Sequence, residues 1–197
     1  MTIFKDFDKR EKPAFKHILI QGRRDVQNID PQSIMKKFNE ISGRHDVIAQ
    51  ICAASRVATW KHVFFGALYA MMAFNQQRNI ANNLAMEILL YLSGQRQIKL
   101  AIEEFGVKNG SNVIILLGNV PATMTQALLE SEKVIGGVTS DAVMTISEEK
   151  KREAICTYFQ IGEAELNAIG ALDTQSSFEE AIIGVVLNRM ALVTLEK

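Results

Sequence analysis

The sequence predicts a single-domain α/β protein, and three observations indicate that fold class. Short apolar runs typical of strands alternate with longer segments whose apolar residues recur at helical spacing. The length of 197 residues suits one domain with a substantial core. Hydrophobic residues make up 48% of the chain and charged residues 22%, the balance of an ordinary soluble globular protein. Residues 1–13 are charged and are predicted to be a flexible start, so the domain is expected to span residues 14–197.

The first part of the chain predicts two strands and two helices. Strands are expected from Phe15 to Gln21 and from Val47 to Ala53, where apolar residues follow one another. Between them, Asp30-Pro31 supplies an N-cap and a first-turn proline for a helix that is expected to end at Gly43. A further helix is predicted from Thr59 to Phe74.

The stretch from Arg78 to Gly106 predicts two consecutive helices. The first is expected to end at Gly94, because the left-handed residue that caps a helix is usually glycine. The second is expected to start near Gln95, to bury its apolar residues and to end at Gly106. The apolar residues at helical spacing are Ile80, Leu84, Ile88, Tyr91 and Leu92 in the first helix, and Ile98, Ala101, Ile102 and Phe105 in the second.

The next segment predicts a central strand followed by helices. The β-branched run from Asn112 to Leu117 is typical of a buried strand. Pro121 suits the first turn of a helix that Gly136-Gly137 interrupts, and an extended segment is expected between 137 and 144. Ser147 and the two glutamates after it indicate the start of another helix.

The last helix is apolar on nearly every face. Ser176 and Glu179 have the spacing of a capping box, and the segment AIIGVVLNRMALV follows. A helix of this kind is either central in a core or covered by a partner. Its position near the end of the chain favours the partner.

Composition and charge exclude several function classes. Lys plus Arg and Asp plus Glu each total 22, so the neutral chain does not resemble a protein that coats duplex nucleic acid. The two cysteines have no metal-ligand spacing, and neither a metal nor another cofactor is predicted. Free cysteines in apolar runs suit a cytoplasmic protein. No apolar stretch is long enough to cross a membrane.

Catalytic residues are not predicted, although two alternatives to a binding protein remain open. Cys52 and His62 lie near each other in the sequence and would form the nucleophile and base of a small hydrolase or acyl-transfer enzyme. Cys52 lies in an apolar run, which instead favours a buried, inert thiol. The other alternative is a homo-oligomer that buries the last helix against a second copy.

Cations and amides near two helix starts predict a local nucleic-acid site. Helix N-termini expose free N–H groups and the positive end of the dipole, which suits phosphate. Aromatic side chains nearby would stack on an unpaired base. The competing interpretation is that these are solvated helix ends beside core aromatics. The polar residues are Arg56, Lys61, His62, Arg78, Asn79, Asn82 and Asn83, and the aromatic residues are Trp60, Phe64 and Phe65.

The run RNIANNLAMEILLYLSGQRQIKLAIEEFGV resembles the hallmark of one protein family. That family is the small KEOPS (EKC) complex subunit related to the PRPK-binding protein, the Cgi or TPRKB family. Its pattern, roughly ExLLYxSGxRQIxxAxxxFGI, precedes a strand, as the same pattern precedes NVIILLG here. QICAASRVATWKHVFFGALYAM and EEKKREAICTYFQI are similar to further family segments, and the resemblance spans residues 14–192. ICAASRVAT departs from the family pattern, which has an acidic residue after this strand.

The resemblance implies a non-catalytic subunit of the complex that installs threonylcarbamoyl on tRNA adenosine (t6A). Such a subunit binds and activates a small atypical kinase/ATPase directly, meets other KEOPS subunits indirectly and helps to hold the tRNA 3′ CCA end. It would act in the cytoplasm, and also in the nucleus if the source is eukaryotic. The implied fold is a small, mainly antiparallel mixed sheet covered by several helices.

On this interpretation we assign residues to two surfaces. The predicted kinase-binding residues are Ile183, Leu187, Met190 and Ala191. The predicted tRNA-binding residues are Arg56, Lys61, His62, Arg78, Asn79, Asn82 and Arg96.

Overall fold

The computed structural model describes residues 15–168 and 175–193, apart from the side chains of residues 175–177. The predicted flexible start, residues 1–13, therefore lies outside the described residues. The strands are β1 (His17–Val26), β2 (Ile48–Ala53), β3 (Gly110–Gly118) and β4 (Val138–Thr139). The helices in these ranges are α1 (Pro31–His45), α2 (Trp60–Asn75), α3 (Leu84–Ser93), α4 (Ile98–Phe105), α5 (Pro121–Ile135), α6 (Glu149–Phe159), α7 (Glu163–Ala168) and α8 (Gln175–Leu192). Short 3-10 helices cover Ala54–Arg56 and Asp141–Met144.

The four strands form one sheet in the order β2-β3-β1-β4. The three pairings between the described strands are antiparallel; Ile115, for example, lies between Ile20 of β1 and Gln50 of β2. The predicted α/β class with a mainly antiparallel sheet is confirmed. The run from Asn112 to Leu117 is the central strand, as predicted.

Helices cover both faces of the sheet. Consecutive residues of β3 point to opposite faces, so this strand contributes side chains to both cores. Ile114 and Leu116 belong to the core beneath α1 and α5. Val113, Ile115 and Leu117 belong to the larger core beneath α2, α3, α6 and α8. The result is three layers with β3 buried on both faces.

A close approach of three helices organises the larger core. Gly66 of α2 lies where α3 and α8 meet, and a Cβ built there would stand 2.7 Å from Leu92 Cδ2 and 3.3 Å from Met190 Cε. Glycine at this position therefore lets the side chains of Leu92 and Met190 pack directly on α2. The other side of α8 is not covered in this way.

Several predicted boundaries are wrong for local reasons. Gly43 lies inside α1, which continues until Asp46 adopts a left-handed conformation with φ 51° and donates its N–H to the Ser42 carbonyl. The first helix of the predicted pair begins only at Leu84, because Asn83 accepts from the Met86 N–H and caps it there. Its end at Gly94 is confirmed, with φ 61°.

Two further predictions are wrong: the burial of Ile98 and Ile102, and the extent of the extended segment at 137–144. Ile98 and Ile102 are 41% and 47% exposed, since α4 turns Ala101 and Phe105 toward the core instead. The capping box expected at Ser176 and Glu179 lies partly outside the described residues, because the Ser176 side chain is not among them. The extended segment expected at 137–144 reduces to the two residues of β4 and a 3-10 helix.

Candidate functional site

One partly buried side of α8 forms an apolar strip, which we call the α8 strip. It comprises Ile183, Gly184, Leu187 and Ala191, each half-buried and spaced so that they share one side of the helix. A Cβ built at Gly184 meets no described atom within 4 Å. Beside Gly184 no described residue covers the strip, and glycine would allow a second surface to approach the helix backbone closely.

Met190 does not belong to this strip. It is fully buried in the core, where its Cε lies near Gly66. The prediction that Met190 faces a partner is wrong, because its side of the helix packs on α2 and α3. Gly184 was missed by the prediction, although a glycine in the middle of an apolar helix signals either close packing or an open face.

A buried carboxylate holds residues 76–83, which we call the loop before α3. Glu87 is fully buried, and its oxygens accept from the Ile80 N–H at 3.0 Å and the Ala81 N–H at 2.6 Å. Burial raises the pKa of Glu87, and the N–H groups of Ala81 and Ile80, together with the charge of Arg96, act in the opposite direction. An acid inside the apolar run AMEILL was the signal that the sequence analysis did not use.

This loop presents three of the predicted tRNA-binding residues. Arg78, Asn79 and Asn82 are exposed, and the Arg78 N–H is bonded to the carbonyl of Ala73 at the end of α2. The Asn79 amide donates to the Ala81 carbonyl at 3.0 Å. Because its backbone is held at both ends, the loop offers a cation and two amides in a defined arrangement.

His62 is not part of any surface. It is fully buried, its Nδ1 accepts from the Ala58 N–H at 3.2 Å and its Nε2 lies 2.9 Å from the Leu92 carbonyl, to which it donates. Phe105 and Phe159 contact the ring edge to face. Burial lowers the pKa of His62 to about 4, more than the hydrogen bond to Leu92 raises it. The prediction that His62 contacts tRNA is therefore wrong.

The remaining predicted tRNA-binding residues lie at the other end of α2. Arg56 is paired with Glu104 at 2.5 Å and stacks over the Tyr158 ring at 5.0 Å. Arg96 donates to the Val193 carbonyl at 2.7 Å and so ties the α3–α4 turn to the end of α8. Lys61 is exposed in the first turn of α2.

The structure therefore divides the predicted tRNA-binding residues into two groups. A helix of 16 residues, about 24 Å long at 1.5 Å per residue, separates Lys61 from Arg78. Of the neighbouring aromatics, Phe64 is buried, whereas Trp60 and Phe65 are half-buried against it with ring centroids at 6.3 and 5.5 Å. Of these two groups, only the one on the loop before α3 has all of its polar side chains exposed.

The arrangement contradicts a Cys52–His62 enzyme. Cys52 is fully buried, and burial raises the pKa of its thiol to about 12, so it is not a thiolate at neutral pH. Both nitrogens of His62 are occupied by the backbone. In the described ranges, no group of three or more His, Cys, Asp or Glu is placed to hold a metal ion. The helices of these ranges include none long and apolar enough to cross a membrane.

A family model matches most of this chain, and two known proteins match about half of it. A family model described as "Kinase binding protein CGI-121" matches residues 23–194. A Methanocaldococcus jannaschii protein named "Regulatory protein Cgi121" is 38% identical over 103 residues, which cover 52% of this chain and 64% of the relative. A Pyrococcus abyssi protein named "KEOPS complex subunit Cgi121" is 43% identical over 87 residues, 44% of this chain and 47% of the relative. The chain thus spans less than two thirds of either relative in these matches.

Acid should destabilise this protein through His62. The unfolded histidine takes up a proton near its ordinary pKa of 6.5, whereas the folded one does so only near pKa 4. Neutral His62 makes its full contribution to the free energy of unfolding when the pH is above the pKa of the unfolded histidine. This contribution, about 3 kcal/mol, is lost as the pH falls toward the pKa of the folded histidine. Urea unfolding over this pH range measures it. His62→Asn keeps an acceptor for Ala58 and should show a shallower pH dependence; equal slopes in both proteins would contradict the assignment.

Removal of the Glu87 carboxylate should loosen the loop before α3. Glu87→Ala leaves the N–H groups of Ile80 and Ala81 without their acceptor, which costs about 2 kcal/mol of unfolding free energy. Amide hydrogen exchange at these two residues should accelerate. Glu103→Ala, at an exposed position of α4, is the control and should leave exchange in the loop unchanged. Unaltered protection at Ile80 and Ala81 in Glu87→Ala would disprove this role.

Proposed function

This chain belongs to the CGI-121 family of kinase-binding proteins, and on that premise we propose that it is a non-catalytic, regulatory KEOPS subunit. In this role it binds the small atypical kinase/ATPase of the complex and stimulates it. The printed names of the two relatives, one a regulatory protein and the other a KEOPS complex subunit, support the proposal. The reaction served is the t6A modification of tRNA, and other KEOPS subunits are reached through the kinase.

The observation that carries the proposal is the open α8 strip. One side of α8 is anchored in the core by Ile182, Val185 and Val186, so the helix has a fixed position. On the other side, Ile183 and Leu187 pack against the edge of the same core and stay only half-buried. A fixed helix with apolar side chains around a half-buried glycine, where an added Cβ meets no described atom, suits a helix or sheet of a partner that packs against it.

Enlarging Gly184 tests the kinase contact without disturbing the fold. Gly184→Gln places a side chain in open space and removes a helix-interior glycine, so the protein should fold normally. The added side chain should weaken kinase binding about tenfold or more, because a clash at the centre of an interface costs at least about 1.4 kcal/mol. Calorimetry with the purified kinase and its ATPase rate are the measurements.

Gly43→Gln is the matched control for this experiment. Gly43 also lies within a helix and also meets no described atom within 4 Å, but α1 covers the opposite face of the sheet. This variant should bind and stimulate the kinase like the unaltered protein. Equal kinase affinity of the Gly184→Gln and Gly43→Gln variants would refute the α8 strip as the interface.

We propose in addition that the loop before α3 contacts the unpaired 3′ CCA end of tRNA. The arrangement of Arg78, Asn79 and Asn82 supports this role, since a guanidinium binds phosphate and amides pair with base edges. The Glu87 carboxylate holds the loop in place before any ligand arrives. Preorganisation of this kind lowers the cost of ordering on binding.

Trimming the tRNA tests this second surface. Intact tRNA should bind more tightly than tRNA without its terminal CCA, and Arg78→Gln should abolish that difference. The same substitution should reduce the salt dependence of binding by about one unit of slope. Lys36→Gln, at an exposed position of α1, is the charge-matched control and should behave like the unaltered protein. Equal affinity for intact and trimmed tRNA would contradict end-binding by this loop.

A further inference from the structure

A cavity of about 670 Å³ opens at one end of the sheet, apart from both surfaces described above. Ala53 at the end of β2, Ser111 at the start of β3 and Arg24 near the end of β1 contribute to its walls. The Asp141–Met144 3-10 helix and the first turns of α6 close the remaining sides. Its volume lies in the range of small-molecule sites, from about 300 to 1,000 Å³.

The charges around this cavity favour an anion. Four cationic side chains line it, against the carboxylates of Asp25 and Glu148. Asp25 lies beside Arg24, with Arg24 Nε and Asp25 Oδ2 3.7 Å apart. The N-terminal turns of α6 border the cavity with the positive end of the helix dipole. The cations are Arg24, Lys108, Lys150 and Lys151.

Lys151 differs from the other three cations because it is drawn inward. Its side chain is half-buried, and its ammonium donates to the Val143 carbonyl oxygen, a neutral acceptor, at 2.5 Å. Burial lowers the pKa of Lys151 to about 8, although the nearby charge of Glu148 acts in the opposite direction. The ammonium is thus held at the cavity wall by a partner that does not neutralise its charge.

We propose that this cavity binds the phosphate group of a small molecule such as a nucleotide or a pyrophosphate. Lys108, Lys150 and Lys151 supply the positive charge, and the hydroxyls of Ser111 and Ser140 supply hydrogen-bond donors. A small molecule rather than an RNA chain is favoured because the cavity is of small-molecule size and the exposed loop before α3 lies elsewhere. The proposal is independent of the kinase and tRNA roles.

Calorimetric titration of the full chain with pyrophosphate and with adenosine monophosphate, at low ionic strength, tests the proposal. We expect saturable binding, which Lys108→Gln combined with Lys150→Gln weakens about tenfold through loss of two charged contacts. Both lysines are exposed, so the double variant should fold. Lys36→Gln with Lys37→Gln, on α1 across the sheet, is the charge-matched control and should leave the affinity unchanged.

Three outcomes would overturn the proposal. The first is the absence of saturable binding of either probe. The second is an equal loss of affinity in the control variant, which would indicate attraction to net charge alone. The third is binding of a single-stranded oligonucleotide that depends on Lys108 and Lys150 while neither small probe binds, because the cavity would then belong to an RNA path.

Discussion

The burial of β3 on both edges and both faces is the constraint on which the rest of the structure depends. Its backbone is bonded to β1 on one side and to β2 on the other. Its side chains alternate between two cores, so each helical layer needs the strand for its own burial. With this strand in place, α1 and α5 cover one face of the sheet. The helices that carry the candidate surfaces pack on the other face.

The close contact of α2, α3 and α8 positions those surfaces relative to each other. Gly66 lets Leu92 and Met190 meet above α2, and this fixes the direction in which α8 turns its open strip. Arg96 binds the carbonyl of Val193 and holds the end of the same helix. The α8 strip and the loop before α3 thus both rest on α2 and α3, so the packing of these helices fixes their separation.

Two buried polar side chains in these helices offset the cost of their burial through hydrogen bonds to the backbone. His62 satisfies both ring nitrogens with backbone groups and joins the start of α2 to the end of α3. Glu87 does the same for the loop at the other end of α3. A buried polar side chain destabilises a fold unless it is bonded, so each of these residues specifies one arrangement of its neighbours. His62 was predicted to lie at a surface, whereas Glu87 lies in a segment interpreted only through its apolar residues.

The sequence alone determined the alternation of elements, the central strand and the start of α1 at Pro31. The family followed from it as well, because the Arg78–Gly106 string is long and its residues match in order. Only the tertiary structure decided that His62 and Met190 are buried, that Ile98 is exposed and that Lys61 and Arg78 lie at opposite ends of α2. The physical reason is that periodicity reports which residues share a side of a helix, whereas long-range packing decides which side another element covers.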